Sequence, residues 1–386
     1  MPHDRRLVEI LGVEGVRIAG ISACVPANAV ANDAKVAAAT GIPARRVAPD
    51  GVSLLDLCCA AATRVMADTQ ARPEDFGAVL AVSFTQHERM PSLAAQAQAR
   101  LGLPKSVLAF DVMQACAGWP YGLYLASLLA RETGKKVLLL DGDRQSEFLD
   151  ADDAATSPLL SDGATATVVE QRTVNSEQRT VNSEQRTDAV VEASCPGCFS
   201  FAFHTDGGKG AALRLEKGAT IQMDGFGVFR FVATDVVEFL KRFVEETETL
   251  ANNRIIECSN NRMNGASTFH STIRHSTIRQ FDNSIISFFV PHQPNVYMVR
   301  QLAKALGLEE RTLISADRFG NLASASIPAT IAANADAFAG RDARLLVSGF
   351  GGGLAISAAR IDLPADCRLS VVEPGGRSTQ GPENLV

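Results

Sequence analysis

No stretch of the 386-residue chain approaches the roughly 18 consecutive apolar residues that a membrane-crossing helix needs. The start, Met1-Pro-His-Asp-Arg-Arg, lacks the apolar stretch of a signal peptide. A soluble, cytoplasmic protein is the expectation. No basic tract offsets a net charge of −6, from 37 Lys and Arg against 43 Asp and Glu, so nucleic acid is not an expected partner. Cysteine is sparse and scattered, at positions 24, 58, 59, 116, 195, 198, 258 and 367. That excludes a disulfide scaffold, and in a reducing compartment most of these thiols act as small buried hydrophobes. Cys195-Pro-Gly-Cys198 is the only CxxC and shows two of the four ligands a zinc site requires, so no metal is expected. Six histidines leave few candidates for a mechanism that needs one. What remains, 46% hydrophobic and 21% charged, is ordinary globular composition for one large or two medium domains.

Short β-branched runs alternate with helical patterns in the first half. Residues Val16 to Val25, Phe76 to Phe84, Val107 to Met113 and Lys136 to Gly142 read as strands. Leu54 to Ala67, Ser92 to Leu101 and Ala117 to Thr133, the last closed by Gly134, read as helices. The theme recurs with an amphipathic helix from Val228 to Leu250 and strands at Ser287 to Val290 and Arg344 to Ser348. This is an α/β pattern with covered sheets and two similar halves, expected at 1–190 and 191–363. Two polar repeats interrupt it. Glu170 to Thr187 holds Glu-Gln-Arg-Thr-Val-Asn-Ser twice, and His270 to Arg279 is His-Ser-Thr-Ile-Arg twice. One apolar residue per seven is too few for a coiled-coil seam, so both read as looped-out insertions, about 170–187 and about 255–283. The Pro- and Gly-rich segment 364–386 reads as a flexible tail.

Four places carry candidate chemistry. In Phe110-Asp-Val-Met-Gln-Ala-Cys116-Ala-Gly-Trp-Pro a strand runs into Cys116 and a helix leaves it, placing the thiol where the dipole favours a thiolate. The plainer reading is a core cysteine. In Phe288-Phe-Val-Pro-His292-Gln-Pro-Asn295 the histidine follows a buried strand end, as a catalytic group or a satisfied structural one. Gly320-Asn321-Leu-Ala-Ser-Ala-Ser-Ile-Pro328 opens a helix of small residues, where Asn321 alone suits a helix cap. Ser348-Gly-Phe-Gly-Gly-Gly353 either turns backbone N–H groups toward a reacting oxygen or makes a tight turn.

In this order, the four motifs resemble the 3-oxoacyl-[acyl-carrier-protein] synthase III family of thiolase-like condensing enzymes. Supporting stretches are Gly41-Ile-Pro-Ala-Arg-Arg-Val, Met90-Pro-Ser, Leu160-Ser-Asp-Gly-Ala, His204-Thr-Asp-Gly and Met223-Asp-Gly-Phe-Gly-Val-Phe. The resemblance implies a five-layer αβαβα sandwich of two pseudo-symmetric halves in a homodimer. It implies Cys116 as the nucleophile that takes an acyl group from acyl-CoA or an acyl-carrier protein. The acyl group is then extended by decarboxylative Claisen condensation with malonyl-CoA or malonyl-acyl-carrier protein, without a cofactor. His292, through Nε2–H, and the Asn321 amide hold the malonyl thioester carbonyl as it becomes an enolate. The N–H groups of Cys116 and Gly352 form the oxyanion hole, and Met90 closes the acyl pocket across the dimer. No second Cys and no Glu stands in a motif matching the bases of thiolases or hydroxymethylglutaryl-CoA synthases.

The chain departs from the family at the thioester entrance. The Asp-Glu-Trp-Ile stretch whose Trp stacks on the CoA adenine is missing, and the only tryptophan is Trp119. Leu149 to Pro158 is acidic where an Arg is usual, and Tyr297 stands where a basic residue often meets the carrier protein, with Arg300 and Lys304 on the same helix. These departures, with a flexible Met90, point to a primer longer than acetyl. Two alternatives stay open: an acyltransferase passing the Cys116 acyl group to a non-malonyl acceptor, and a non-catalytic partner subunit.

Overall fold

The computed structural model describes residues 8–86, 88, 90–172, 198–263 and 286–374, without the side chains of 251–263. In chain order the first half comprises β1 (Leu11–Glu14), β2 (Val16–Cys24), β3 (Ala29–Ala31), α1 (Ala34–Thr40), β4 (Ala44–Arg46), α2 (Leu54–Asp68), β5 (Phe76–Val82), α3 (Leu93–Arg100), β6 (Leu108–Val112), α4 (Gly118–Thr133), β7 (Lys136–Asp143) and β8 (Gly163–Gln171). Then follow β9 (Cys198–Thr205), β10 (Leu213–Arg214), β11 (Gln222–Met223), α5 (Gly225–Phe231), α6 (Val237–Met263), β12 (Phe288–Pro291), α7 (Val296–Leu306), α8 (Ala316–Phe319), α9 (Ser326–Ala333), β13 (Ala343–Gly351), β14 (Ala355–Leu363) and β15 (Arg368–Val372).

Local chemistry sets these limits. Ser53 and Asp56 form a reciprocal capping box that starts α2, worth about 1 kcal/mol. Helix α4 stops at Gly134, whose left-handed conformation (φ 69°) suits a residue without Cβ. Strands β5 and β7 are buried on both faces, which explains their unbroken apolar runs.

Two sheets stack. One has the order β15-β2-β8-β7-β5-β6, the other β1-β9-β14-β13-β12. Helices α2 and α3 pack on the outer face of the first sheet. The core over its other face includes Trp119 and Leu123 of α4 and Ile327 and Ile331 of α9, together with Val347 and Ile361 of the second sheet. Helices α4 and α9 are thus the middle layer, and α6 and α7 cover the second sheet from outside. The fold is the five-layer αβαβα sandwich of thiolase-like proteins.

The halves repeat. Strands β2-β8-β7-β5 pair antiparallel, antiparallel and parallel, and β9-β14-β13-β12 pair in the same sequence of senses. Helix α4 corresponds to α9. Where the first half has β6 beside β5, the second has a single bridge between Phe289 and Thr312.

Several expectations change. The segment from 364 is not wholly a loose tail: Arg368–Val372 forms β15, parallel to β2, with Ser370 Oγ donating to Asp68 Oδ2 at 2.8 Å. Its Leu-Ser-Val-Val run is β-forming, and the edge of β2 supplies the partner. The helix read at Val228 to Leu250 begins at Gly225, passes through a π turn at Val232–Val236 and continues to Met263, so 255–263 is helix rather than looped out. Residues 173–187 and 264–283 of the expected insertions, and Cys195, lie outside the described residues.

Candidate active site

Strand β6 delivers the chain to Cys116 through a turn in which Gly118 N–H donates to the Ala115 carbonyl at 2.7 Å, and α4 departs at once. The end of β13 passes directly over this turn. A Cβ on Gly349 would stand 2.9 Å from the Cys116 carbonyl oxygen, and one on Gly351 would stand 2.9 Å from Cys116 Cβ and 3.4 Å from Sγ. Only glycine lets two backbones meet this closely. The result is a buried thiol. Burial, and behind it the Asp143 carboxylate, push Cys116 up to about 12, with its own backbone N–H opposing. The helix end therefore does not leave a resting thiolate, as the sequence suggested; desolvation outweighs it.

His292 follows β12, its N–H donating to the Ser348 carbonyl at 2.7 Å and its ring edge-on to Phe350 at 5.4 Å. Gln293 pins the loop by donating to the Pro291 carbonyl and accepting from Ser315 N–H. The imidazole is 2% exposed. Burial drives it down to about 3, against a smaller opposing effect from the Ala323 backbone, so at neutral pH it carries one N–H and no charge. The sequence reading assigned Nε2–H to the substrate; Nδ1 is the ring nitrogen buried without a partner among the described residues.

Asn321 is anchored as backbone first. Its N–H donates to the Leu159 carbonyl, and its carbonyl accepts from Ser161 N–H and Gln145 Nε2. Its Oδ1 accepts from Ala323 N–H at 2.9 Å, which fixes the amide and leaves the NH2 as its free end. Asn321 is thus the cap of a tight turn, not of α9, which begins five residues later. Ala323 has φ 46°, a left-handed conformation costing a non-glycine residue about 1–3 kcal/mol.

Cys116, His292, Asn321 and Gly352 line one cavity of about 380 Å³, walled mainly by apolar side chains including Phe84, Leu160, Leu213, Ile221 and Met223. Met90 is elsewhere: it lies on the surface of the single chain, 84% exposed. Trp119 is a core residue, fully buried, with Nε1 donating to Thr167 Oγ1. Tyr297 is half exposed and stacks on Phe229.

The sequence reading missed Gln145, Phe350 and above all Asp143. Asp143 ends β7 at 0% exposure. Its Oδ1 accepts from Ser83 Oγ, Phe84 N–H and Thr85 at 3.0–3.3 Å, and its Oδ2 from Ser324 Oγ at 2.9 Å. Burial raises it to about 6 despite these donors. The available signal was a carboxylate at the end of an apolar strand.

Two family models match, 3-oxoacyl-[acyl-carrier-protein] synthase III over residues 110–189 and the C-terminal domain of the same enzymes over 278–363. Cys116 lies in the first, and His292 and Asn321 lie in the second. The chain belongs to the 3-oxoacyl-[acyl-carrier-protein] synthase III family. It is 27% identical to the β-ketoacyl-[acyl-carrier-protein] synthase III of Tropheryma whipplei over 332 residues, covering 84% of this chain and 88% of that one. It is 28% identical to the Serratia proteamaculans enzyme of that name over 341 residues, 86% and 90% of the two chains. The crystal structure of a 3-oxoacyl-(acyl-carrier protein) synthase from Burkholderia xenovorans superimposes with a TM-score of 0.75 at 27% identity, over 95% of this chain and 99% of that one. Among its described residues, this synthase III family member has no helix long and apolar enough to cross a membrane.

Proposed function

We propose that this protein loads an acyl group onto Cys116 and extends it by decarboxylative condensation with a malonyl thioester, giving a 3-oxoacyl thioester. The observation that carries the reading is the donor pair beside a buried thiol: an amide whose oxygen is already occupied, and an imidazole held neutral.

In the first step Cys116 Sγ bonds to the acyl carbonyl, the donor's C–S bond breaks, and the departing thiol takes the proton that Cys116 gives up. In the second, the malonyl C–CO2 bond breaks and its electron pair becomes an enolate. The Asn321 NH2 and the His292 ring N–H stabilise the oxygen as charge grows on it, an effect worth about 10²–10³ in rate for each such donor. A carboxylate in either position would repel that charge. The enolate carbon then bonds to the acyl carbonyl, the Cys116 thioester breaks, and the sulfur regains a proton. The N–H groups of Cys116 and Gly352 receive the tetrahedral oxyanion. Acyl-CoA or an acyl-carrier protein is the donor, and malonyl-CoA or malonyl-acyl-carrier protein the extender. The exposed Met90, with Leu108, Phe110 and Met113 along the edge of β6, supports a homodimer in which a second copy's Met90 closes an acyl pocket longer than acetyl requires.

Intact-protein mass after incubation with acyl-CoAs from acetyl to decanoyl, and with the same acyl groups on a carrier protein, tests the first step. The expected result is an acyl mass on wild type and none on Cys116→Ala. Adding a malonyl thioester then releases CO2 and a 3-oxoacyl product, and Asn321→Ala loses this release far more than it loses loading. Loading followed by ester or amide formation without CO2 indicates the acyltransferase reading. No loading from any donor indicates a non-catalytic subunit.

A further inference from the structure

We infer that Asp143 is a positioning residue for the condensation: through Ser324 it clamps the turn that aims the Asn321 amide. The inference rests on the function proposed above and concerns a group that touches none of the reacting atoms.

Three observations converge. First, the two oxygens of Asp143 serve different elements. Oδ1 gathers the loop after β5, accepting from Ser83, Phe84 and Thr85, whereas Oδ2 accepts from Ser324 Oγ, in the turn before α9, at 2.9 Å. A carboxylate accepts at both of its terminal atoms, whereas an amide accepts at one and donates at the other. Second, the turn is fixed at two ends. Asn321 is held on its N-terminal side by backbone bonds to Leu159 and Ser161, and Ser324 is held on the C-terminal side by Asp143. Between the anchors sits Ala323 in its left-handed conformation, a geometry that persists only when its surroundings impose it. Third, Ala323 is the residue that orients the chemistry. Its N–H occupies Asn321 Oδ1, and its backbone also acts on the His292 ring. Releasing Ser324 lets Ala323 relax, and the Asn321 amide then turns freely.

The neighbouring carboxylate makes the contrast. Asp141 lies two residues back on the same face of β7, fully buried, with neither side-chain oxygen partnered among the described residues. Burial and the charge of Asp143 hold it protonated. The Asp141 carboxyl accepts from no group among the described residues, whereas Asp143 is built into the turn.

The test compares wild type, Asp143→Asn and Ser324→Ala in the full chain, reading acyl loading of Cys116 by mass and CO2 release from radiolabelled malonyl thioester. Ser324→Ala is the decisive variant, because it removes the 2.9 Å hydroxyl bond while leaving Asp143 its donors from the β5 loop and only the long 3.5 Å bond from the Ser324 N–H. The expected result for both is a fall in kcat for CO2 release on the order of tenfold to a hundredfold, with KM for the malonyl thioester within about threefold of wild type; the loading rate stays within about threefold in Ser324→Ala, whereas Asp143→Asn also removes a charge that raises the Cys116 thiol and does not lower loading. Loading and decarboxylation falling together, or neither falling, overturns the inference. If Asp143→Asn does not fold, Ser324→Ala decides alone. A wild-type protein that loads but never releases CO2 overturns the condensation reading and this inference with it. CO2 release by Ser324→Ala at the wild-type rate overturns this inference only.

Discussion

Burial keeps the His292 imidazole neutral, which the proposed donor role requires. That same burial couples the residue to stability. The unfolded chain takes a proton on this imidazole near 6.5, and the folded protein does not until about 3. The stability His292 contributes is complete above 6.5 and is lost as pH falls from 6.5 toward 3. His292→Gln should therefore show a shallower fall in melting temperature than wild type between pH 7.5 and 4; parallel curves would mean that the ring is protonated freely in the fold. At this scale the sequence was informative about identity and less so about state. Cys116, His292 and Asn321 were legible because each stands at a strand end or turn within a short motif. The thiol's protonation was not, because it depends on Gly349 and Gly351 closing over it from the other half of the chain. Asp143 was hidden by its own strand: Leu-Leu-Leu-Asp-Gly-Asp reads as a strand running out, and its partners, Ser83 to Thr85 and Ser324, are distant in sequence.

Among the elements, the two central helices are equivalent by the internal repeat, and each is preceded by a turn that lines the cavity. The turn before α4 carries Cys116 and the turn before α9 carries Asn321, so one repeated layout brings the proposed nucleophile and the proposed enolate donor to the same cavity from the two halves. The end of β13 packs against the first of these turns. Gly351→Ala would place a methyl 2.9 Å from Cys116 Cβ, so acyl loading should be lost while urea unfolding shows a cost of about 1–3 kcal/mol, the usual range for overpacking. Loading at the wild-type rate would show that the strand yields instead. Most elements were readable from apolar runs with clear punctuation, such as Ser53 and Gly134. The π turn at Val232–Val236 was not, since it changes hydrogen bonding without breaking the apolar stripe. Strand β15 was missed because Pro364 before it and Pro374-Gly-Gly after it outweigh the signal of a five-residue strand.

For the molecule as a whole, each sheet borrows an edge strand from the far half: β1 completes the second sheet and β15 the first. The halves are therefore not separable units. Ending the chain at Ala365 removes β15 together with the Arg17–Asp366 ion pair and the Val25 N–H bond to Val372. Its melting temperature should fall by several degrees, with lower soluble yield, and an unchanged melting temperature would show β15 to be dispensable. The pairing of Arg368 with Gly20 also sets a timetable. At roughly 5–20 residues per second of translation, the partner of β2 leaves the ribosome some tens of seconds after β2 itself. Through that interval β2 offers a row of unpaired backbone groups to any nascent neighbour. Chaperone demand during synthesis, rather than stability once made, is where the cost of this exchange falls.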